Sequence, residues 1–360
     1  MKIVTAKGGR IISNMLILRY LLCLLGILLA ISLLAIIVLA IRMPVSLSGI
    51  LYLIAGFLVA AGLIAAPVLP KYYLQITIAG LIGLILIAGG RLILVEQNKS
   101  SGLRMITLPG GKGGRWINAL IDEQDGLTFG EQFFHRIGGD SDSEHTNIDA
   151  SFAAVYSSIR KQGNFPSPIL STYLNLQQPD HFDAVMIKPD QQPRFGLVFL
   201  HGFMGNVTAQ CWVIAQAVKK AGGVTICPST SWTGEWWRPE GQHILKSTFQ
   251  YMRDHGIQNI YLGGFSNGGF SIGRLASLLA DEKGMAGLIF IDGFMNGASV
   301  RELGLPVLIL QGTQDERVPV EAGRQFAKEV GNVATYVEIN SDHFLIIKQP
   351  ARVQDEIRKW

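Results

Sequence analysis

The sequence predicts an α/β fold, a mostly parallel sheet with helices on both faces, preceded by three transmembrane helices. Two observations carry this. Before residue 96 the apolar residues run in three long stretches, and after about residue 180 short apolar runs alternate with amphipathic segments. Over the whole 360 residues hydrophobic side chains reach 49% and charged ones only 16%, an average over two unlike regions. The formal net charge is +4 and no basic block stands out, so nucleic acid is not an expected partner.

The apolar stretches cover 20–41, 50–69 and 72–90. A helix rises about 1.5 Å per residue, so roughly 20 apolar residues cross the hydrocarbon core. Helices satisfy their own backbone polar groups in lipid, which single strands do not. Arg42, Pro44 and Ser46 punctuate the first junction, and Pro67, Pro70 and Lys71 the second. Tyr52, Tyr72 and Tyr73 fall near span ends, where aromatic rings suit the headgroup layer. The first stretch is too long for the apolar core of a cleavable signal, and a second follows directly. Lys2, Lys7, Arg10, Arg19 and Lys71 flank one side, and Arg42, Arg91, Lys99, Arg104 and Lys112 the other. Five against five leaves the orientation open. The expected organisation is an N-terminal tail at 1–19, three transmembrane helices within 20–95, a linking or accessory segment at 96–180 and a globular domain at 181–360.

In the linking segment, Gly110-Gly111-Lys112-Gly113-Gly114 lacks the Ser or Thr that follows the lysine of a phosphate loop, so it reads as a linker or hairpin. Residues 117–137 suggest a strand and then a helix. Asp140, Asp142, Glu144 and His145 match no calcium-loop spacing and read as a solvated turn. Residues 148–159 form an amphipathic helix. The three cysteines, Cys23, Cys211 and Cys227, show no zinc or redox spacing. Cys211 and Cys227 are expected as buried free thiols, a disulfide between them being the alternative. No metal and no cofactor are expected.

Past residue 180 the apolar runs at 184–187, 197–200, 224–227, 260–263, 288–291, 307–310 and 335–339 read as strands, with helices at 210–221, 268–280 and 320–330 among them. Such alternation gives parallel βαβ units, whose functional groups gather at strand C-termini. Directly after strand 260–263 comes Gly264-Phe265-Ser266-Asn267-Gly268-Gly269, then a helical run. A serine on a sharp strand-to-helix turn has an exposed hydroxyl, and the glycines keep bulk away from that turn. Ser266 is the candidate nucleophile. Asp315, on the loop after strand 307–310, is the candidate acid, and His343, after strand 335–339, the candidate base. Asp292 is the reserve acid. After strand 197–200 comes His201-Gly202-Phe203-Met204-Gly205, so the backbone N–H groups of Phe203 and Asn267 are the expected oxyanion donors. His201 reads as a residue that shapes this turn. Trp232, Trp236 and Trp237, clustered after strand 224–227, are candidates for lining an apolar acyl pocket, with packing against the sheet as the alternative.

These motifs, HGFMG, GFSNGG, GTQDERVP and SDHF, fall in the order of the α/β-hydrolase superfamily, and residues 182–360 resemble its carboxylesterase, lysophospholipase and dienelactone-hydrolase-like branches. The resemblance implies an α/β-hydrolase fold, a Ser266–His343–Asp315 triad, and cleavage of ester, thioester or lipid-acyl bonds. It does not extend to the three apolar stretches, from which a lipid bilayer is the expected partner and the domain is expected to be held at a membrane. Only 23 residues separate Asp292 from Asp315, leaving no room there for an inserted cap domain. Two other readings stay open. One is a serine peptidase of the same fold that uses Glu235 or Arg238 to hold a charged terminus. The other is a non-catalytic binding protein that keeps the fold.

Overall fold

The computed structural model describes residues 4–40, 45–96, 102–127 and 148–360. Asp140, Asp142, Glu144 and His145 lie outside them. The three apolar stretches form helices α1 (Val4–Ala40), α2 (Leu47–Ala65) and α3 (Tyr73–Glu96). Helix α1 starts at Val4, so most of the expected N-terminal tail continues the first helix. Within them Met15–Val38, Leu47–Ala65 and Tyr73–Val95 are long and apolar enough to cross a bilayer. Leu47–Ala65 opens under a cap, the Ser46 Oγ accepting from the Gly49 N–H.

The remaining strands form one nine-stranded sheet. They are β1 (Leu103–Leu108), β2 (Lys112–Gly113), β3 (Phe182–Ile187), β4 (Gly196–Leu200), β5 (Val224–Pro228), β6 (Ile260–Phe265), β7 (Met285–Ile291), β8 (Val307–Gly312) and β9 (Ala334–Ile339). Their order is β2-β1-β3-β5-β4-β6-β7-β8-β9. β4 to β9 run parallel to one another, while β3 runs antiparallel to both β1 and β5.

The sheet crosses the boundary expected at residue 180. β1 pairs with β3 along its whole length, Leu103 opposite Ile187 through Leu108 opposite Phe182, so residues 96–180 are not merely a linker. The glycine run joins β1 to β2 as a hairpin. Where residues 117–137 suggested a strand, the chain instead makes a 3-10 turn (Trp116–Ala119) and then a helical segment from Glu123.

Alternation along the strands builds two cores, because successive side chains point to opposite faces. Leu197, Phe199, Ile289, Ile291 and Leu310 pack on one side with α4 (Ile148–Arg160) and α6 (Thr208–Lys220). α5 is Ile169–Tyr173, between those two in the chain. Val198, Leu200, Leu262, Phe290 and Ile309 pack on the other side with Leu245 and Phe249 of α7 (Pro239–Asp254). Cys211 and Cys227, expected as free thiols, form a disulfide that ties α6 to β5. The two lie on an element pair that is already packed together, with Cα atoms 6.2 Å apart, and chain spacing alone does not reveal that proximity.

A buried carboxyl group fixes the start of α6. Glu123 accepts from the N–H groups of Thr208 and Ala209 at 2.9 and 3.1 Å, from the Tyr156 hydroxyl at 2.7 Å and from Ser167. First-turn N–H groups have no partner inside their own helix, so Glu123 satisfies them across the fold. Glu123→Ala strands all four donors, and the expected loss is about 3 kcal/mol or more of stability. Thermal unfolding in detergent checks this, and an unchanged melting temperature contradicts it.

Candidate active site

Strand β6 ends at Phe265, and Ser266 makes the turn into α8 (Asn267–Arg274) with φ +52° and ψ −119°. That backbone geometry is costly for a residue with a side chain, and it holds only where the surroundings enforce it. They do so by close approach. A Cβ on Gly264 would lie 2.4 Å from the Gly268 carbonyl carbon, and one on Gly268 would lie 2.2 Å from the Leu200 oxygen. The spacing of glycines in the motif is thus a packing requirement. Ser266 also donates its N–H to the Ile291 oxygen at 2.9 Å, pinning the turn to β7.

The structure brings Ser266, His343 and Asp315 together. His343 follows β9 and is buried, with its ring against Phe265. Its Nδ1 lies 2.8 Å from Asp315 Oδ2, and its Nε2 lies 3.1 Å from Ser266 Oγ. A carboxylate at Asp315 accepts the Nδ1 hydrogen, which leaves the Nε2 lone pair facing the serine hydroxyl. Asp315 follows β8, and its other oxygen accepts the N–H groups of Arg317 and Val318 at 2.9 and 2.8 Å. This carboxylate is therefore held at both ends. Asp342 turns away from the site to Lys348.

Asp292, the reserve acid, stands beside the triad rather than in it. It lies just past β7, its Oδ1 accepts the Gly312 N–H at 2.8 Å, and its Oδ2 is buried without a hydrogen bond. Donor atoms of Asp292, Asp315 and His343 all fall within 4.8 Å of one another. The spacing suits a cation, yet His343 Nδ1 and Asp315 Oδ2 are already bound to each other. Burial, and then the neighbouring Asp315 charge, push the Asp292 carboxyl well above the usual carboxylate range. Both causes favour the protonated form of Asp292.

The loop after β4 passes directly over Ser266, the candidate nucleophile. A Cβ on Gly202 would lie 2.9 Å from the Ser266 Cβ and 3.5 Å from the Asn267 nitrogen. Phe203 follows in that loop, and Asn267 opens α8, where an N–H has no intrahelical partner. Gly202 and Asn267 thus lie beside Ser266, and Phe203 is the next residue of the loop. His201 is buried and neutral: its Nδ1 is 2.8 Å from the Gly202 oxygen, and its Nε2 accepts the Thr230 N–H at 3.2 Å. Burial lowers its pKa to about 4.

The tryptophan loop divides into different roles. Trp236 is fully buried and donates its indole N–H to the His201 oxygen at 3.0 Å, so it belongs to the core that shapes the turn and lines no pocket. Trp237 is partly buried and packs against the core, with the Arg274 guanidinium 4.5 Å from its ring centre. Trp232 meets Phe203 of the loop over Ser266 edge-on, at 5.0 Å. The Asn267 side chain donates to the Thr233 oxygen at 2.8 Å and fastens the same loop to the turn. Sequence reasoning missed that fastening and the role of Glu123, since no motif marks either.

Replacing Asp292 by Asn keeps an acceptor for Gly312 and removes a titrating group that faces Asp315, Asp342 and His343. Because the folded form holds a proton here that the unfolded chain releases near pH 4, stability of the parent falls as pH rises above that value. The stability of Asp292→Asn relative to the parent is therefore expected to increase from pH 5 to pH 7 in chemical denaturation. A flat or opposite difference contradicts a neutral Asp292.

A sequence model described as the alpha/beta hydrolase family matches residues 245–344, which hold Ser266, Asp315 and His343. No curated protein matches the chain. Among solved structures, similar ones include Est1E from Butyrivibrio proteoclasticus, at 18% identity and TM-score 0.43 over 50% of this chain and 92% of that one. An alpha-beta serine hydrolase homologue from Coxiella burnetii reaches 20% identity and TM-score 0.43 over 50% and 91%. The esterase domain from a Rhodothermus marinus protein reaches 16% and 0.43 over 50% and 92%. With β3 to β9 in place and the family match lying across β6 to β9, the C-terminal half of the chain has the α/β-hydrolase fold.

Proposed function

We propose that this protein is a membrane-anchored serine hydrolase that cleaves carboxylic esters, thioesters or lipid acyl groups through an acyl-serine intermediate. The observation that carries the reading is the unbroken hydrogen-bonded chain Ser266–His343–Asp315 on a strained strand-to-helix turn. In this reading the Ser266 oxygen attacks the substrate carbonyl carbon while its proton passes to His343 Nε2. The N–H groups of Phe203 and Asn267 receive the negative charge that develops on the carbonyl oxygen. His343 then gives the proton to the departing alcohol or thiol, and water repeats the sequence to free the acid. Asp315, fixed by two backbone N–H groups, keeps the imidazole in the tautomer that accepts from serine.

Esters are favoured over peptides by one observation. Glu235 and Arg238, the charges that a peptide terminus would need, bind each other at 2.8 and 3.2 Å. The three apolar helices support anchoring at a membrane. The Cys211–Cys227 disulfide supports an oxidising compartment for the domain, a choice the flanking charges leave open.

A fluorophosphonate is expected to label the full-length protein on the peptide that carries Ser266, and Ser266→Ala is expected to lose both label and ester turnover. Absence of label on folded parent protein, or turnover retained by Ser266→Ala, overturns the reading.

A further inference from the structure

From residue 102 onward, among the described residues, large apolar side chains are exposed at four positions: Trp116 (67%), Leu174 (54%), Leu176 (39%) and Phe203 (43%). Scattered exposed apolar residues are ordinary on a protein surface. These are not scattered, because the contacts of their backbone place them in one corner.

Trp116 opens the 3-10 turn that packs against the end of α3. Arg91 near that end donates to the Ala119 oxygen at 2.8 Å and to Ser48 at 2.7 Å, and Tyr52 of α2 donates to the Leu120 oxygen at 2.9 Å. Ser46 donates its N–H to Asp125 at 2.8 Å. The start of α2 and the end of α3 thus grip residues 119–125 through polar bonds. Trp116 borders a crevice with Leu92 and Val95, the last apolar turn of α3, which sets it at the depth where a bilayer changes from acyl chain to headgroup.

The corner continues to the nucleophile. α5 packs on the Trp116–Ala119 turn, and Arg115 donates to the Leu176 oxygen at 2.6 Å, so Leu174 and Leu176 are held next to Trp116. Thr172 of α5 abuts Gly205 in the loop over Ser266, and that loop carries Phe203 against Trp232. An apolar rim therefore leads from the end of the third span to the mouth of the site.

We propose that Trp116, Leu174 and Leu176 rest in the headgroup layer of the bilayer that holds the three helices, and that this contact lets Ser266 receive esters whose acyl chains lie in that bilayer. The proposal rests on the hydrolase and anchor reading above and narrows its substrate class to membrane-resident lipid acyl esters. Tryptophan and leucine are the side chains that bind an interface well, through apolar area with a polar indole edge left wet. Continuity with the apolar ends of α2 and α3 names the occupant as lipid.

The test uses full-length protein in phosphatidylcholine vesicles. Lipid brominated on its acyl chains is expected to quench the fluorescence difference between the parent and Trp116→Phe. In the same vesicles Leu174→Glu with Leu176→Glu is expected to raise KM for a long-chain p-nitrophenyl ester dissolved in the bilayer by about tenfold, with kcat for a short water-soluble ester unchanged. Absent quenching, or an unchanged KM for the bilayer-borne ester, overturns the proposal, and a partner protein or second copy then becomes the occupant of the corner. If the parent turns over neither ester, the hydrolase reading fails and the delivery of substrate fails with it, while the quenching arm still decides whether the corner meets lipid.

Discussion

The constraint on which the site depends is the backbone of Ser266, held at φ +52° between β6 and α8. Nothing local favours it. It persists because β4, β7 and the start of α8 press on it, leaving no volume for a Cβ at Gly264 or Gly268. The same squeeze brings Gly202 against the serine and sets Asn267 at the head of the helix. Geometry for attack and geometry for charge stabilisation are one arrangement. The parallel sheet contributes by delivering Asp315 and His343 at the ends of β8 and β9, on the same edge as the serine.

A second layer of polar bonds keeps that arrangement from relaxing. His201, neutral and buried, ties the loop over the nucleophile to Thr230, while Trp236 closes on it from the other side. The Glu123 carboxyl holds the start of α6, and Asn206 in the preceding loop donates to the Cys227 oxygen at 2.7 Å. Glu123 sits within residues 119–125, the stretch gripped by α2 and α3. Residues near the three apolar helices thus take part in fixing the loop beside Ser266, and part of the segment expected as linking or accessory shares the sheet of the C-terminal region.

Much of this was legible in the sequence. The seven strands from 184–187 to 335–339 are present, each extended by one to three residues at one end, because β-branched runs between turn residues encode them locally. The order of Ser266, Asp315 and His343 was legible for the same reason, since each follows a strand end. What escaped was non-local. β1 is a six-residue strand whose identity depends on β3, some eighty residues later, and Cys211 and Cys227 meet only when α6 packs on β5. Trp236 looked like a pocket residue because a cluster of indoles carries no sign of which face each one turns. Chain pattern reports periodicity, and periodicity does not say what lies across a tertiary contact.

The central claim is that Ser266 carries the acyl group during turnover. Brief exposure of the full-length protein to a short-chain p-nitrophenyl ester, acid quenching and mass mapping test it most directly. The account predicts an acyl mass on the peptide containing Ser266, formed as p-nitrophenol is released and absent in His343→Ala. Steady release of p-nitrophenol by the parent with the acyl group found on another residue, or on His343→Ala at the parental rate, would contradict it.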